Sequence, residues 1–155
     1  MYGFYPARMP QPAQPPRPPA FHDQNAFLQS TLKAIFNERQ AQLNYRALYA
    51  LAATPFQKKM IQHALDDEIK HERLLTRVYH TLTGQNPQVP QPQRATVTQF
   101  NAGVRASFED ELEAAELYRS MYVNTLLPWL RDILFEIMTD ESEHAQRFTY
   151  IQAEL

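Results

Sequence analysis

Residues 67–71 read Asp67-Glu-Ile-Lys-His71, and residues 140–144 read Asp140-Glu-Ser-Glu-His144. Both are Asp-Glu-x-x-His, and they lie 73 positions apart (140 − 67). A lone Glu-x-x-His arises by chance in a chain this rich in Glu. The same shift, however, lays Glu38 on Glu111, Ala41 on Ala114, Tyr45-Arg46 on Tyr118-Arg119, Tyr49 on Tyr122 and Pro55 on Pro128. No gap is needed. The motif is therefore one half of a site written twice, within a duplicated segment.

The surrounding pattern is helical. Residues 24–53 contain no Gly or Pro, and Phe27, Leu28, Leu32, Ile35, Phe36 and Leu43 recur at spacings of three and four. Thr54-Pro55 ends this run and opens a second helix, since Thr caps well and Pro suits the first helical position. Gly84 stops the second helix. A third is expected over about 96–125 and a fourth from Pro128 nearly to Leu155. Between them, GQNPQVPQPQR (84–94) is a proline-rich connection long enough to run the length of a bundle. The expected fold is all-α: an antiparallel four-helix bundle over 22–155, built from two duplicated helical hairpins. Residues 1–21 are expected to form a proline-rich flexible arm, because the first 20 positions hold seven of the 12 prolines. Tyr2, Phe4 and Tyr5 make docking the alternative role for that arm.

Composition narrows the chemistry. The chain has 155 residues, a formal charge of −2 and no cysteine. Disulfides, thiolate metal sites and thiol catalysis are excluded. No basic patch points to nucleic acid, and no apolar run approaches the ~20 residues needed to cross a membrane. The N-terminus lacks the apolar core of a signal peptide, and a cytoplasmic location is expected. Symmetric homodimers are the commonest oligomers, so a homodimer is expected.

On a helix, residues i and i+3 share a face, so Glu68 with His71, and Glu141 with His144, can grip one ion together. Glu38 and Glu111 each precede a tyrosine, Tyr45 or Tyr118, by seven residues on the same stripe. Turned inward, these stripes supply four carboxylates and two imidazoles. That set suits two iron or two manganese ions, whose +4 charge balances the carboxylates. Tyr45 and Tyr118 are either core aromatics or hydroxyl donors to the ligand carboxylates. Glu72, Glu109, Glu113, Glu116 and Glu143 are assigned to solvated helix faces, and His22, His63 and His80 to the surface.

With these residues the sequence resembles the ferritin-like superfamily, and within it the rubrerythrin-like branch. There the first helix carries Glu-x-x-Ala-x-x-x-Tyr, here Glu38 to Tyr45, and the second and fourth carry Glu-x-x-His. The resemblance spans residues 24–155. It implies two iron ions per chain, Glu38 and His71 serving one, Glu111 and His144 the other, with Glu68 and Glu141 bridging. It implies that Asp67 and Asp140 each hydrogen-bond a ligand His on the opposite hairpin. It also implies an oxidoreductase acting on peroxide or dioxygen, of peroxidase or ferroxidase type, fed by an external electron donor. Three features depart from the pattern. With no cysteine, the sequence is expected to lack the cysteine-ligated rubredoxin domain. Ala114 stands where rubrerythrins place an extra Glu. The fourth helix is expected to run nearly to Leu155, so the short fifth helix of cage-forming ferritins is not expected. The alternatives are a di-manganese, catalase-like enzyme and a non-catalytic metal-binding protein docked through its arm.

Overall fold

The computed structural model describes residues 19–155. Four helices account for most of them: α1 (Gln24–Leu51), α2 (Pro55–Thr83), α3 (Phe100–Asn124) and α4 (Pro128–Ala153). The expected arm lies almost wholly outside the described residues. Its last two positions belong instead to the bundle. Phe21 forms an isolated bridge with Thr125, the Leu126 N–H donates to the Ala20 carbonyl at 2.8 Å, and the Phe21 ring packs on Phe27.

Local chemistry sets most helix ends. The Asp23 carboxylate accepts from the Ala26 N–H and opens α1. Thr54 and Gln57 form a reciprocal capping box at the start of α2, with Pro55 in its first turn. Gly84, at φ 71°, takes the left-handed conformation that closes α2. The third helix starts at Phe100, four residues later than the sequence suggests. The Asn44 side chain captures the Thr96 N–H at 2.9 Å, which holds that segment in the connection.

The connection over 84–99 runs along α1. Arg39 donates to the Val89 carbonyl, Gln40 to the Arg94 carbonyl, and Val97 reaches Gly103 beside Leu48. It thus returns the chain to the end where it left α1, and α3 runs antiparallel to α1. The hairpins α1–α2 and α3–α4 face each other through α1–α3 and α2–α4 contacts.

The core has two apolar layers. One gathers Phe27, Ile35, Leu75, Val78, Leu130, Leu134 and Ile137, and the other Leu48, Ile61, Leu65, Val104, Phe148 and Ile151. Each such side chain contributes roughly 1.5–3 kcal/mol when fully buried. Between the layers lies a belt of buried charge: Glu38, Glu68, His71, Glu111, Glu141 and His144, none more than 3% exposed. Among the described residues, no helix is long and apolar enough to cross a membrane.

Candidate metal centre

The two apolar layers supply the stability that lets the belt stay buried. Ionised carboxylates at such depth are very costly without compensation, so the arrangement within the belt decides what it can hold. One carboxylate comes from each helix: Glu38 (α1), Glu68 (α2), Glu111 (α3) and Glu141 (α4). His71 and His144 follow the α2 and α4 carboxylates by one turn.

The geometry repeats about the duplication. His71 Nδ1 lies 3.2 Å from Glu141, 3.5 Å from Glu68 and 3.8 Å from Glu38. His144 Nδ1 lies 3.2 Å from Glu68, 3.2 Å from Glu141 and 3.6 Å from Glu111. Two candidate ligand groups result, Glu38–Glu68–His71–Glu141 and Glu68–Glu111–Glu141–His144. In each, one donor atom per residue lies within 4.8 Å of every other. Glu68 and Glu141 belong to both. Glu68 Oε1, His71 Nδ1 and Glu141 Oε1 are buried with no hydrogen-bond partner. Orphaned buried donor atoms that converge on one point are what a cation would satisfy.

The outer face of each ring is held by the opposite hairpin. His71 Nε2 lies 3.1 Å from Asp140 Oδ2, and His144 Nε2 lies 3.2 Å from Asp67 Oδ2. The hydrogen bond from His144 is the main cause that holds the Asp67 carboxyl well below the usual range. Asp140 is also lowered: burial opposes this, but the bonds from His71 and Lys70 outweigh it. Both carboxylates are therefore ionised and only accept, so each Nε2 carries the proton. In a neutral ring this leaves the Nδ1 lone pair aimed into the belt.

The tyrosines cross between hairpins as well. The Tyr45 hydroxyl donates to Glu111, and the Tyr118 hydroxyl donates to Glu38. Burial, followed by the adjacent carboxylates, pushes both phenols well above their ordinary range, so they remain donors.

The charges in the belt are poised against one another. Burial, then the charges of Glu141, Glu38 and Glu111, pushes Glu68 well up. Burial likewise pushes Glu111 up to about 8, partly offset by His144. For Glu141 burial acts upward too, but the His144 and His71 bonds prevail and bring it down to about 2. Burial opposes the charged form of His71 and His144, yet their carboxylate partners together raise both well above the ordinary range. Without a cation, then, the belt is a mixture of carboxylate, carboxylic acid and imidazolium. A divalent ion would have to displace those protons.

A cleft of about 270 Å³ between α1 and α3 reaches Glu38, Glu68, Glu111 and Glu141. Ala41 and Ala114 line it, and their small side chains leave that space open. It is wide enough for peroxide or dioxygen and short of what a bulky substrate needs.

Some of the surroundings differ from the sequence reading. Lys70 was not singled out there, and its ammonium bridges Asp140 at 2.8 Å, Asp67 at 3.1 Å and Glu136 at 3.2 Å. Asp67 is its i−3 neighbour, but Asp140 and Glu136 lie on the other hairpin, so local spacing signals only one of the three contacts. His63 is exposed, as are His22 and His80, but it also reaches Asp67 at 3.1 Å. Glu72 is not on a solvated face: Arg39 and Gln42 hold it at 2.7 and 2.8 Å under the 84–99 connection. Glu109, Glu113, Glu116 and Glu143 are exposed.

No protein-family model matches the chain. The uncharacterized protein YhjR of Bacillus subtilis is 28% identical over 135 residues, 87% of this chain and 92% of that one. Among solved structures, ferritin-like, diiron-carboxylate proteins from Bacillus anthracis superpose with a TM-score of 0.74 at 17% identity, over 84% of this chain and 98% of that one. A two-domain protein from Anabaena variabilis with DJ-1/ThiJ/PfpI-like and ferritin-like domains gives 0.68 at 15% identity, over 86% of this chain and 38% of that one. With its four helices, single long crossover and buried carboxylate–histidine belt, the chain has the ferritin-like fold.

Proposed function

We propose that the belt holds two iron ions and that the protein is an oxidoreductase acting on peroxide or dioxygen. The observation that carries this reading is the pair of overlapping ligand groups sharing Glu68 and Glu141. Glu38 and His71 would serve one ion and Glu111 and His144 the other, with Glu68 and Glu141 between them. When bound, the iron pair supplies two electrons and a positive template for an oxygen substrate. The rest is the work of the chain. Asp67 and Asp140 orient the imidazoles, and Tyr45 and Tyr118 orient the terminal carboxylates. The apolar layers exclude water above and below, while the α1–α3 cleft admits a small oxidant. Carboxylate and imidazole donors with no sulfur ligand suit iron, and a cysteine-free chain that needs an external reductant suits a reducing compartment such as the cytoplasm.

The test is metal content by elemental analysis of protein from its native host, beside Glu68→Ala and Glu141→Ala. About two iron per chain, lost in either variant, together with rapid colour change of the ferrous protein on mixing with peroxide, is the expected result. Two manganese, with oxygen released from peroxide and no reductant added, would replace this reading by disproportionation. Metal-free native protein would overturn it.

A further inference from the structure

A surface groove of about 650 Å³ lies at the end of the bundle where α1 meets α2, opening on the first turns of α2. Tyr49, Lys58, Lys59 and His63 line it. The Tyr49 ring is 37% exposed, and the Lys58 ammonium sits 5.5 Å from its centre. The two lysines outnumber the one acid in the groove, Asp66, which already accepts from Gln62 at 2.8 Å. Lys58 lies over the ring on a flexible stem, so an anionic group that draws its ammonium aside frees the aromatic face, and the pair then recognises a flat, anionic ligand by charge and stacking.

Two separate runs of side chains lead inward from this groove, and they end on one half of the belt. Tyr49 lies one helical turn from Tyr45, whose hydroxyl donates to Glu111. His63 Nδ1 lies 3.1 Å from Asp67 Oδ2, which in turn lies 3.2 Å from His144 Nε2. Glu111 and His144 belong to the same ligand group. The duplicated half matches the first of these runs and has only a longer form of the second. Tyr118 and Tyr122 repeat the tyrosine pair, and Arg131, at the position equivalent to Lys58, covers Tyr122 at 4.4 Å. Where His63 would recur stands Glu136, which reaches Asp140 and His71 only through the interposed Lys70. Among the described residues, the α1–α2 end thus joins a ligand-sized groove to one ligand group by two runs, the second of them with no interposed lysine.

From this juxtaposition we infer that the groove docks the reductant, an anionic aromatic carrier of the reduced flavin mononucleotide class, with its ring on Tyr49 and its phosphate at Lys58 and Lys59. The inference rests on the redox reading of the belt. The balance closes without another reagent. Oxidation of one dihydroflavin to flavin releases two electrons and two protons. Reduction of one peroxide breaks the O–O bond, forms two O–H bonds and consumes two of each, giving two waters.

The experiment is titration of metal-free and iron-loaded full-length protein with flavin mononucleotide and with riboflavin, followed by flavin fluorescence. Wild type is compared with Lys58→Glu/Lys59→Glu and with Tyr49→Leu. The expected result is that the mononucleotide binds at least tenfold more tightly than riboflavin, that the double charge reversal removes this difference, and that Tyr49→Leu weakens both ligands. In iron-loaded protein, the second-order rate of anaerobic reduction by dihydroflavin mononucleotide should fall in the double variant by the same factor as affinity. Equal affinity for the two flavins, or an affinity and rate unchanged by the charge reversal, overturns the inference. So does reduction that proceeds only with a flavin-bearing protein. If no sample retains iron, the proposed function falls, and the binding series in metal-free protein still decides whether the groove takes the carrier.

Discussion

At His71 and His144 one ring nitrogen is committed to a carboxylate of the other hairpin, which leaves the second to face the belt. Asp67 and Asp140 thus act at a distance of one ring: they set which nitrogen is free. Asp67→Asn and Asp140→Asn keep the size of the side chain and remove its charge, so the imidazole is held less firmly and is less basic. Metal affinity should fall about 10–100-fold in each, with the helix content unchanged by circular dichroism. Competition with a chelator of known affinity measures it, and unchanged affinity would show that the aspartates do no more than solvate the rings. The residues that make up the belt were legible because Glu-x-x-His is a local spacing that repeats. Lys70, which ties Asp67 to Asp140, was not. The i,i+3 spacing from Asp67 announces only one half of that bridge; the other half exists only once two hairpins separated by a long crossover come together.

For the helices, punctuation decided what could be read. Pro55, Gly84 and Pro128 each act through their own backbone, so the boundaries they set follow from sequence alone. The start of α3 has no such marker: Gln99 makes no side-chain cap, and the boundary is fixed by Asn44 gripping Thr96 from another helix. The same contact region explains the one glycine inside α3. A Cβ at Gly103 would lie 2.7 Å from Val97 Cγ1 and 2.9 Å from Leu48 Cδ2, so the residue marks where the crossover presses on the bundle. Alanine gains about 1 kcal/mol of helix propensity there, while forced overpacking costs about 1–3 kcal/mol. The stiff, β-branched Val97 yields little. Gly103→Ala should therefore be destabilising by about 1 kcal/mol in denaturant unfolding, and Gly103→Ala in a Val97→Ala background should be stabilising. A stabilised single variant would mean the crossover lifts away easily.

For the whole molecule the governing fact is a layer of charge between two apolar layers, which ties stability to pH and to metal. In metal-free protein burial pushes Glu111 up to about 8, from an ordinary value of 4.5. Between those values the unfolded chain has released a proton that the folded chain keeps, so stability falls as pH rises through this window. His71 and His144, both raised above their ordinary 6.5, act in the same direction: their contribution is full below 6.5 and is lost as pH rises further. Glu141, lowered to about 2, contributes stability that is lost only as pH falls below its ordinary 4.5. Metal-free protein should thus melt at a lower temperature at pH 8 than at pH 5. A bound cation reverses the trend, because it replaces the same protons and binds more tightly as they become easier to remove. Free metal at 100 times its dissociation constant stabilises by about 2.7 kcal/mol. For a chain of this size that is roughly 5–10 °C in melting temperature, at about 2–4 °C per kcal/mol. Scanning calorimetry of metal-free and iron-loaded protein at pH 5, 6.5 and 8 should show a gap that widens with pH. A metal-free melting temperature that is flat or rising across this range would mean that water enters the belt and that Glu111, His71 and His144 titrate as if at the surface. Burial would then not be what prepares them for metal.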